Sequence, residues 1–281
     1  MTEFAPIVEA LAFVESHLQM PIAVADMADA AGYSLYHFCR VFNTATHYTP
    51  YSYLIRRRLA EAARALVTTD ARVIDIALDY QFNNPETFTR ACRRVFDATP
   101  SQLRASGPLD PHRLMPALTE AQLGYRACNR EALRAAFVQR NPLHLVGLMT
   151  WVDDETALCD ALWRHLERVV VRHPSLAALD DRYALRWYPP GWERDGLIHL
   201  AALHPPDPGM ELTSTPLVRK TLPGGPYVRF RHVGPPETLG LLFDYVYHTW
   251  LPGSYYTLAA PFSLAHREGQ VWTLFFPLGS T

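Results

Sequence analysis

Through the first hundred positions apolar residues recur at three- and four-residue spacing, and beyond residue 141 they gather into shorter runs. Val8, Leu11, Val14 and Leu18 predict a first helix over residues 4–20. Residues 24–31 and 73–80 read as short helices, closed by tight turns at Gly32 and Gln81. Leu54, Ile55, Leu59, Ala62, Ala63 and Leu66 make one face of a long helix over residues 51–67. The spacing of Pro108, Pro111 and Pro116 marks a linker over 107–123, and helical patterning resumes over 126–137. After Asn141-Pro142 the pattern predicts a strand at 143–152, a helix at 154–172 and strands at 183–188 and 197–203. It then predicts the same order again: a strand at 227–233, a helix at 236–250 and strands at 261–266 and 271–276. The expected fold is multidomain: an all-α domain over 1–106, a linker and connecting helix over 107–140, and an α+β domain of two β-α-β-β halves over 141–281. In that α+β domain both helices lie on one face of a single sheet and the other face is a groove.

Inside the all-α stretch one unit occurs twice. Ser34-Leu35-Tyr36-His37-Phe38-Cys39-Arg40-Val41-Phe42 is followed, fifty residues on, by Asn84-Pro85-Glu86-Thr87-Phe88-Thr89-Arg90-Ala91-Cys92, and Thr49-Pro50 by Thr99-Pro100. Ser34 and Asn84 suit the N-cap, and Pro85 suits the first helical position, where no amide donor is needed. Phe38, Val41 and Phe42 share one stripe, as do Phe88, Ala91, Cys92, Val95 and Phe96, so these faces turn inward. Tyr36, Arg40 and Asn43 then point outward from the first helix, and Glu86, Arg90, Arg93 and Arg94 from the second. A short helix, a turn and a capped helix with a polar outer face make a helix-turn-helix. Two such units on one rigid spacer can enter successive major grooves, about 34 Å apart.

Charge enters by placement, not by total. Residues 1–106 hold ten arginines and no lysine against eleven acidic residues, so only a local cationic face can bind phosphate. Arg56, Arg57, Arg58 and Arg64 crowd one helix, and Arg90, Arg93 and Arg94 another. Cys39, Cys92, Cys128 and Cys159 show no ligand spacing and read as free thiols in a reducing compartment. Nothing calls for a metal or cofactor. With acidic residues in the first helix and no apolar run near the roughly 20 residues of a membrane span, the expected location is the cytoplasm.

Asp26-Met27-Ala28, Ala31-Gly32-Tyr33-Ser34, Phe38, Thr49-Pro50, Tyr53 and Arg57 to Leu59, continued by Ile76-Ala77, Phe82, Phe88-Thr89-Arg90 and Thr99-Pro100, resemble the DNA-binding domain of the AraC/XylS family of bacterial regulators. Three positions depart from that pattern: Gln81 and His47 stand where glycines are usual, and Cys92 where phenylalanine is. The resemblance implies double-stranded DNA and RNA polymerase as partners. It implies Tyr36, His37 and Arg40 as base-facing residues in the first unit and Glu86, Thr87 and Arg90 in the second, with Asn43 beside them. Arginine can bridge guanine O6 and N7, and a carboxylate can accept from cytosine N4. Arg57, Arg58, Arg93 and Arg94 are expected to hold phosphates.

Leu222 to Tyr227, Phe230, His232 with Gly234, Trp250-Leu251-Pro252 and Phe276-Pro277-Leu278 resemble the GyrI-like effector-binding domain. That resemblance implies a small-molecule effector or a protein partner, and an acidic residue followed by tyrosine on the penultimate strand. Here those places fall to Ser263 and Ala265, so a lipophilic cation lacks its counter-charge and neutral or anionic aromatic ligands stand beside it, with Arg186 or Arg229 to pair. Trp151, Trp163, Trp187, Tyr188, Trp192, Tyr227, Trp250, Tyr255 and Trp272 are candidate ligand-lining aromatics together with Ser263. His165, His173, His199, His204 and Glu237 show no metal-ligand or triad spacing, and His232 reads as structural. The expected function is a sequence-specific DNA-binding transcriptional regulator, not an enzyme; the alternative is a GyrI-like hydrolase or ligand-sequestering module fused to a DNA-binding domain.

Overall fold

The structure is a computed structural model that describes residues 3–107, 109–152, 158–172, 176, 179, 181–188, 196–205, 207, 209, 216–269 and 271–279. It divides into two compact units, Met1–Cys128 with Phe243–Ser254, and Asn129–Leu242 with Tyr255–Thr281.

The first unit is helical: α1 (Ala5–Ser16), α2 (Val24–Ala30), α3 (Leu35–Thr46), α4 (Pro50–Thr68), α5 (Val73–Asp79), α6 (Pro85–Phe96), α7 (Pro100–Ser106) and α8 (Glu120–Cys128). Two cores form around α4. Tyr53 and Leu54 pack with Ile7, Val14, Met27, Phe38 and Phe42, while Leu59 and Leu66 pack with Ile76, Phe82, Phe88 and Phe96. One helix thus belongs to both repeats and fixes their spacing. The turns match as well. Tyr33 N–H donates to Ala28 O at 3.0 Å and Phe82 N–H to Ala77 O at 2.8 Å, across Gly32 at φ 68° and Gln81 at φ 65°. Gln81 and the α3 C-cap, His47 at φ 59°, occupy the left-handed region without glycine's freedom, at a cost on the order of 1 kcal/mol each.

Two local expectations are corrected. Ser34 is the N-cap of α3, but its side chain makes no capping bond, whereas Asn84 accepts from Glu86 N–H at 2.7 Å. The connecting helix is α8 at 120–128, not 126–137, because Thr119 and Gln122 form reciprocal capping bonds of 2.9 and 3.3 Å. Residues 136–140 are a strand.

The second unit holds β1 (Ala136–Arg140), β2 (Leu143–Val152), α9 (Leu158–Val170), β3 (Arg182–Trp187), β4 (Leu197–Leu203), β5 (Val218–Leu222), β6 (Gly225–Val233), β7 (Thr257–Leu258), β8 (Phe262–Glu268) and β9 (Val271–Gly279). Helix α10 (Leu239–Tyr245) runs on through a π-turn at Val246–Trp250 to Gly253 and carries the chain into the first unit. The strand order is β1-β6-β9-β8-β3-β4-β2-β5, with β7 paired to β9. The two β-α-β-β halves are there, and each gains an edge strand, β1 or β5, paired with the half that does not follow it in sequence. Asn141-Pro142 joins β1 to β2, and Pro223-Gly224 joins β5 to β6, although each pair lies toward opposite edges of the strand order. Two linking residues reach only about 10 Å, so the sheet curls until its edges nearly meet. A Cβ on Gly224 would stand 2.8 Å from Pro142 Cδ and 2.9 Å from the Arg140 carbonyl oxygen, which leaves that close approach to glycine.

The curl overturns the expected open groove. The inner face is a packed core of Leu145, Tyr183, Leu185, Leu200, Tyr227, Phe262, Leu264 and Phe275. The outer face carries Val146, Leu148, Ala201 and Leu203 beneath Leu166 and Val170 of α9.

Candidate functional site

On α3, Phe38 and Phe42 are fully buried and stack toward Tyr53, which turns the opposite side of the helix to solvent. Tyr36 is 82 % exposed, and Arg40, Asn43 and Thr44 are exposed beside it. His37 is half-buried, edge-on to Tyr33 with centroids 4.7 Å apart. On α6, Phe88 and Cys92 are fully buried, and Glu86, Thr87, Arg90, Arg93 and Arg94 are exposed. Burial raises the Cys92 thiol to about 12, so it is an inert filler. Glu86 lies in the first turn of α6 and Arg93 and Arg94 in its last, the placement the helix dipole favours. The two outer faces therefore match position by position, Tyr36 with Glu86, His37 with Thr87, Arg40 with Arg90 and Asn43 with Arg93, but only the second is strongly cationic.

Arg57 and Arg58 do not join these faces, and their expected phosphate role is corrected. They are 4 % and 5 % exposed. Arg57 donates from Nε and Nη2 to the two Glu15 oxygens at 2.8 and 2.7 Å, to Glu61 Oε1 at 2.8 Å and to the Met115 carbonyl. Burial opposes its charge, but the bonds and charge of Glu15 and the bond to Glu61 outweigh it and hold the guanidinium above its ordinary range. Arg58 donates to the Leu18 and Met20 carbonyls, and burial lowers it. Arg58 thus caps the chain leaving α1, while Arg57 ties Glu15 of α1 to α4 and to the Met115 carbonyl. The signal was in the spacing: residues 57 and 58 follow Tyr53 and Leu54 by one helical turn and so fall on the buried stripe.

The C-terminal end of α3 is held by residues the sequence did not single out. Buried Arg126 donates to the Thr46 carbonyl and, at 2.9 Å, to Thr249 Oγ1. Tyr48 Oη donates to the His248 carbonyl, and Gln122 Nε2 to Asp244 Oδ2 at 3.0 Å. Burial first, then the charges of His112, Arg56 and Arg126, lower His248 to about 4.

In the second unit the expected ligand-lining residues do not converge. Trp151 and Trp187 lie in one inner-face row across β2, β4 and β3 with Ile198 between them and Phe262 beyond, and Lys220 Nζ sits 3.7 Å above the Trp187 ring. Tyr227 is also inward and donates to the Pro223 carbonyl at 2.8 Å. Tyr188 follows β3, its amide donating to the Pro261 carbonyl at 2.8 Å. Trp250 belongs to the first unit, and Tyr255 is 92 % exposed. Trp192 lies outside the described residues. Ser263 is 1 % exposed and projects to the outer face, opposite Arg186. Arg229 is exposed. His232 is fully buried with Nε2 3.2 Å from the Pro235 carbonyl, a structural role. Among the described residues no group of three or more histidines, cysteines or carboxylates could hold a metal, and no helix is long and apolar enough to cross a membrane.

Residues 27–106 match a family described as a helix-turn-helix domain, and residues 136–270 one described as a GyrI-like small molecule binding domain. The chain is 37 % identical over 108 residues to the transcriptional regulator Rob of Salmonella typhimurium, covering 38 % of this chain and 37 % of Rob. The Right origin-binding protein of Escherichia coli K12 matches with the same identity and coverage. The regulatory protein SoxS of Escherichia coli K12 is 39 % identical over 94 residues, 34 % of this chain and 88 % of SoxS. The matched stretch thus spans little more than a third of the two origin-binding and Rob relatives and most of SoxS.

Proposed function

We infer that this chain, which belongs to the AraC family of helix-turn-helix regulators and carries a GyrI-like domain, is a sequence-specific DNA-binding transcriptional regulator whose C-terminal domain binds a small-molecule effector. The observation that carries the reading is the matched pair of outer faces on α3 and α6, joined through one helix whose residues enter both cores. Residues 1–106 bind double-stranded DNA. Tyr36, His37, Arg40, Glu86, Thr87 and Arg90 meet base edges, with Asn43 beside them, and Arg93 and Arg94 hold phosphates. The protein works in the cytoplasm, engages RNA polymerase and has no catalytic role. SoxS and Rob, described as regulators, support this assignment.

Footprinting the full chain on genomic fragments, followed by titration at several salt concentrations, tests it. The expected result is protection of two neighbouring major-groove segments about 34 Å apart, with affinity falling linearly on a log–log plot against salt. Protection confined to one groove segment, or equal affinity for every fragment, would overturn it.

A further inference from the structure

Stretches from four parts of the helical unit close around one cleft. Arg56 comes from α4, Phe96 from the end of α6, Arg113 and Met115 from the crossing between α7 and α8, and His248 and Pro252 from the end of α10. All of them belong to the first unit. A water-sized atom can occupy about 20 Å³ of the cleft. One water needs about 10–15 Å³, so the head of a small ion fits and little more does.

The two arginines in its wall differ. Arg113 is already paired: its Nη1 donates to Asp97 Oδ2 at 2.7 Å and its Nε lies 3.6 Å from Asp110 Oδ2, and among the described residues no carboxylate lines the cleft. Arg56 is half-buried and has no carboxylate partner among the described residues. Its Nη1 donates to Tyr48 Oη at 3.4 Å, and its guanidinium carbon lies 5.8 Å from the centre of that ring. The same hydroxyl gives its own proton to the His248 carbonyl. The His248 ring, half-buried in the same wall, takes part in no hydrogen bond among the described residues. Burial, then the charges of His112, Arg56 and Arg126, hold that ring at about 4, so at pH 7 it is neutral and offers one N–H in a positive field.

We propose that Arg56 and His248 bind a small oxyanion in this cleft, inorganic phosphate or a short carboxylate. The guanidinium supplies the charge and N–H donors in one plane. The neutral imidazole adds a donor from whichever nitrogen carries its proton. Phe96, Met115 and Pro252 make the rest of the wall apolar, which strengthens the attraction by excluding water. A cation would meet Arg56 with no carboxylate in the lining to offset it. Because Arg56 stands on the helix both repeats share and His248 on the end of α10, an ion between them fastens that segment to α4. The site does not depend on what the second unit binds.

Phosphate, acetate and chloride, each titrated into the full chain at pH 7 and one fixed ionic strength, test this by calorimetry and by the His248 ring resonances. Phosphate or acetate is expected to fill one site and to shift the His248 resonances with the same midpoint as the heat. It should also raise the helical melting transition as its concentration rises. The tighter of the two tells phosphate from carboxylate. Arg56→Gln should cost tenfold or more in affinity and His248→Phe a few-fold, while Arg64→Gln, on the same helix but outside the cleft, should cost less than twofold. The resonance shift in the parent chain is independent of any variant's folding. If chloride matches both oxyanions, if either binds without moving His248, or if neither binds, the assignment is wrong. It is equally wrong if duplex DNA alone moves the His248 resonances, since the cleft would then take a backbone phosphate and not a free ion.

Discussion

Replacing Arg57 by methionine separates a structural arginine from a phosphate-holding one. Arg57 is 4 % exposed, and its guanidinium engages Glu15, Glu61 and the Met115 carbonyl. Removing one partner of a buried ion pair costs about 3–5 kcal/mol, because the other charge is stranded. Here the Glu15 and Glu61 side chains keep 27 % and 25 % exposure and can take water, and methionine keeps much of the arginine stem's packing. The loss therefore belongs near the lower end, about 3 kcal/mol. In urea, with a slope of about 1–3 kcal/mol per molar, the midpoint should fall by at least about 1 M. The salt dependence of DNA binding, measured on the folded fraction, should keep its slope. Arg93→Ala, exposed on α6, should do the reverse: stability within about 0.5 kcal/mol of the parent and a salt slope smaller by about one. If Arg57→Met keeps its urea midpoint and flattens the salt slope, the guanidinium faces DNA and the buried network is wrong.

Arg40→Ala should weaken binding by about 1–3 kcal/mol and relax one base preference, whereas equal binding across a site library would exclude base contact. His199 and His248 titrate near 4 in the folded chain against an unfolded value of 6.5, so unfolding takes up protons between those pH values and stability falls as the pH drops from about 6.5 to 4. Each accounts for on the order of 3 kcal/mol of that loss, and His199→Asn should flatten the acid slope in thermal melts; an unchanged slope would place that histidine in water. Gly224→Ala should lower the melting temperature by overpacking worth about 1–3 kcal/mol, because the new methyl meets Pro142 and the Arg140 carbonyl; a neutral result would mean the sheet edges stand further apart.

Much of the helical unit was legible because local signals and packing agree there. Phe38, Phe42, Phe88 and Phe96 sit where a helical period puts them, and Asn84 and Thr99 cap the helices they precede. Charge misled where period did not: Arg57 and Arg58 read as surface by residue type and as core by spacing, and spacing was right. In the sheet, the long strands carried enough apolar run to be seen. β1 and β5 are five-residue strands with alternating half-buried and exposed positions, and nothing local separates them from a polar loop. The inner core could not be read at all, since it depends on which strand lies beside which. A side chain's face follows from its own strand, but its neighbours follow from topology.

The end of α10 makes the first unit depend on residues far along the chain. Phe243, Tyr245, Val246 and Tyr247 belong to that unit and are buried, the Tyr247 ring lies 4.1 Å from that of His112 and the Tyr245 ring 5.4 Å from that of His47, and Thr249, His248 and Asp244 receive bonds from Arg126, Tyr48 and Gln122. A chain ending at Cys128 keeps both helix-turn-helix cores but loses these contacts, leaving Arg126 buried against the end of α3 with one bond fewer. At about 1 kcal/mol per hydrogen bond and about 1.5–3 kcal/mol per buried large side chain, the loss is comparable to the whole stability of a domain, about 5–15 kcal/mol. The truncated chain should therefore melt well below the helical transition of the full chain, and a synthetic peptide of residues 239–254 should restore part of the difference in a concentration-dependent way. A fragment of residues 1–128 that unfolds at the same temperature, with or without the peptide, would mean the segment merely rests on that surface. In that case the tie from Thr249 through Arg126 to the last turn of α3 holds nothing in place.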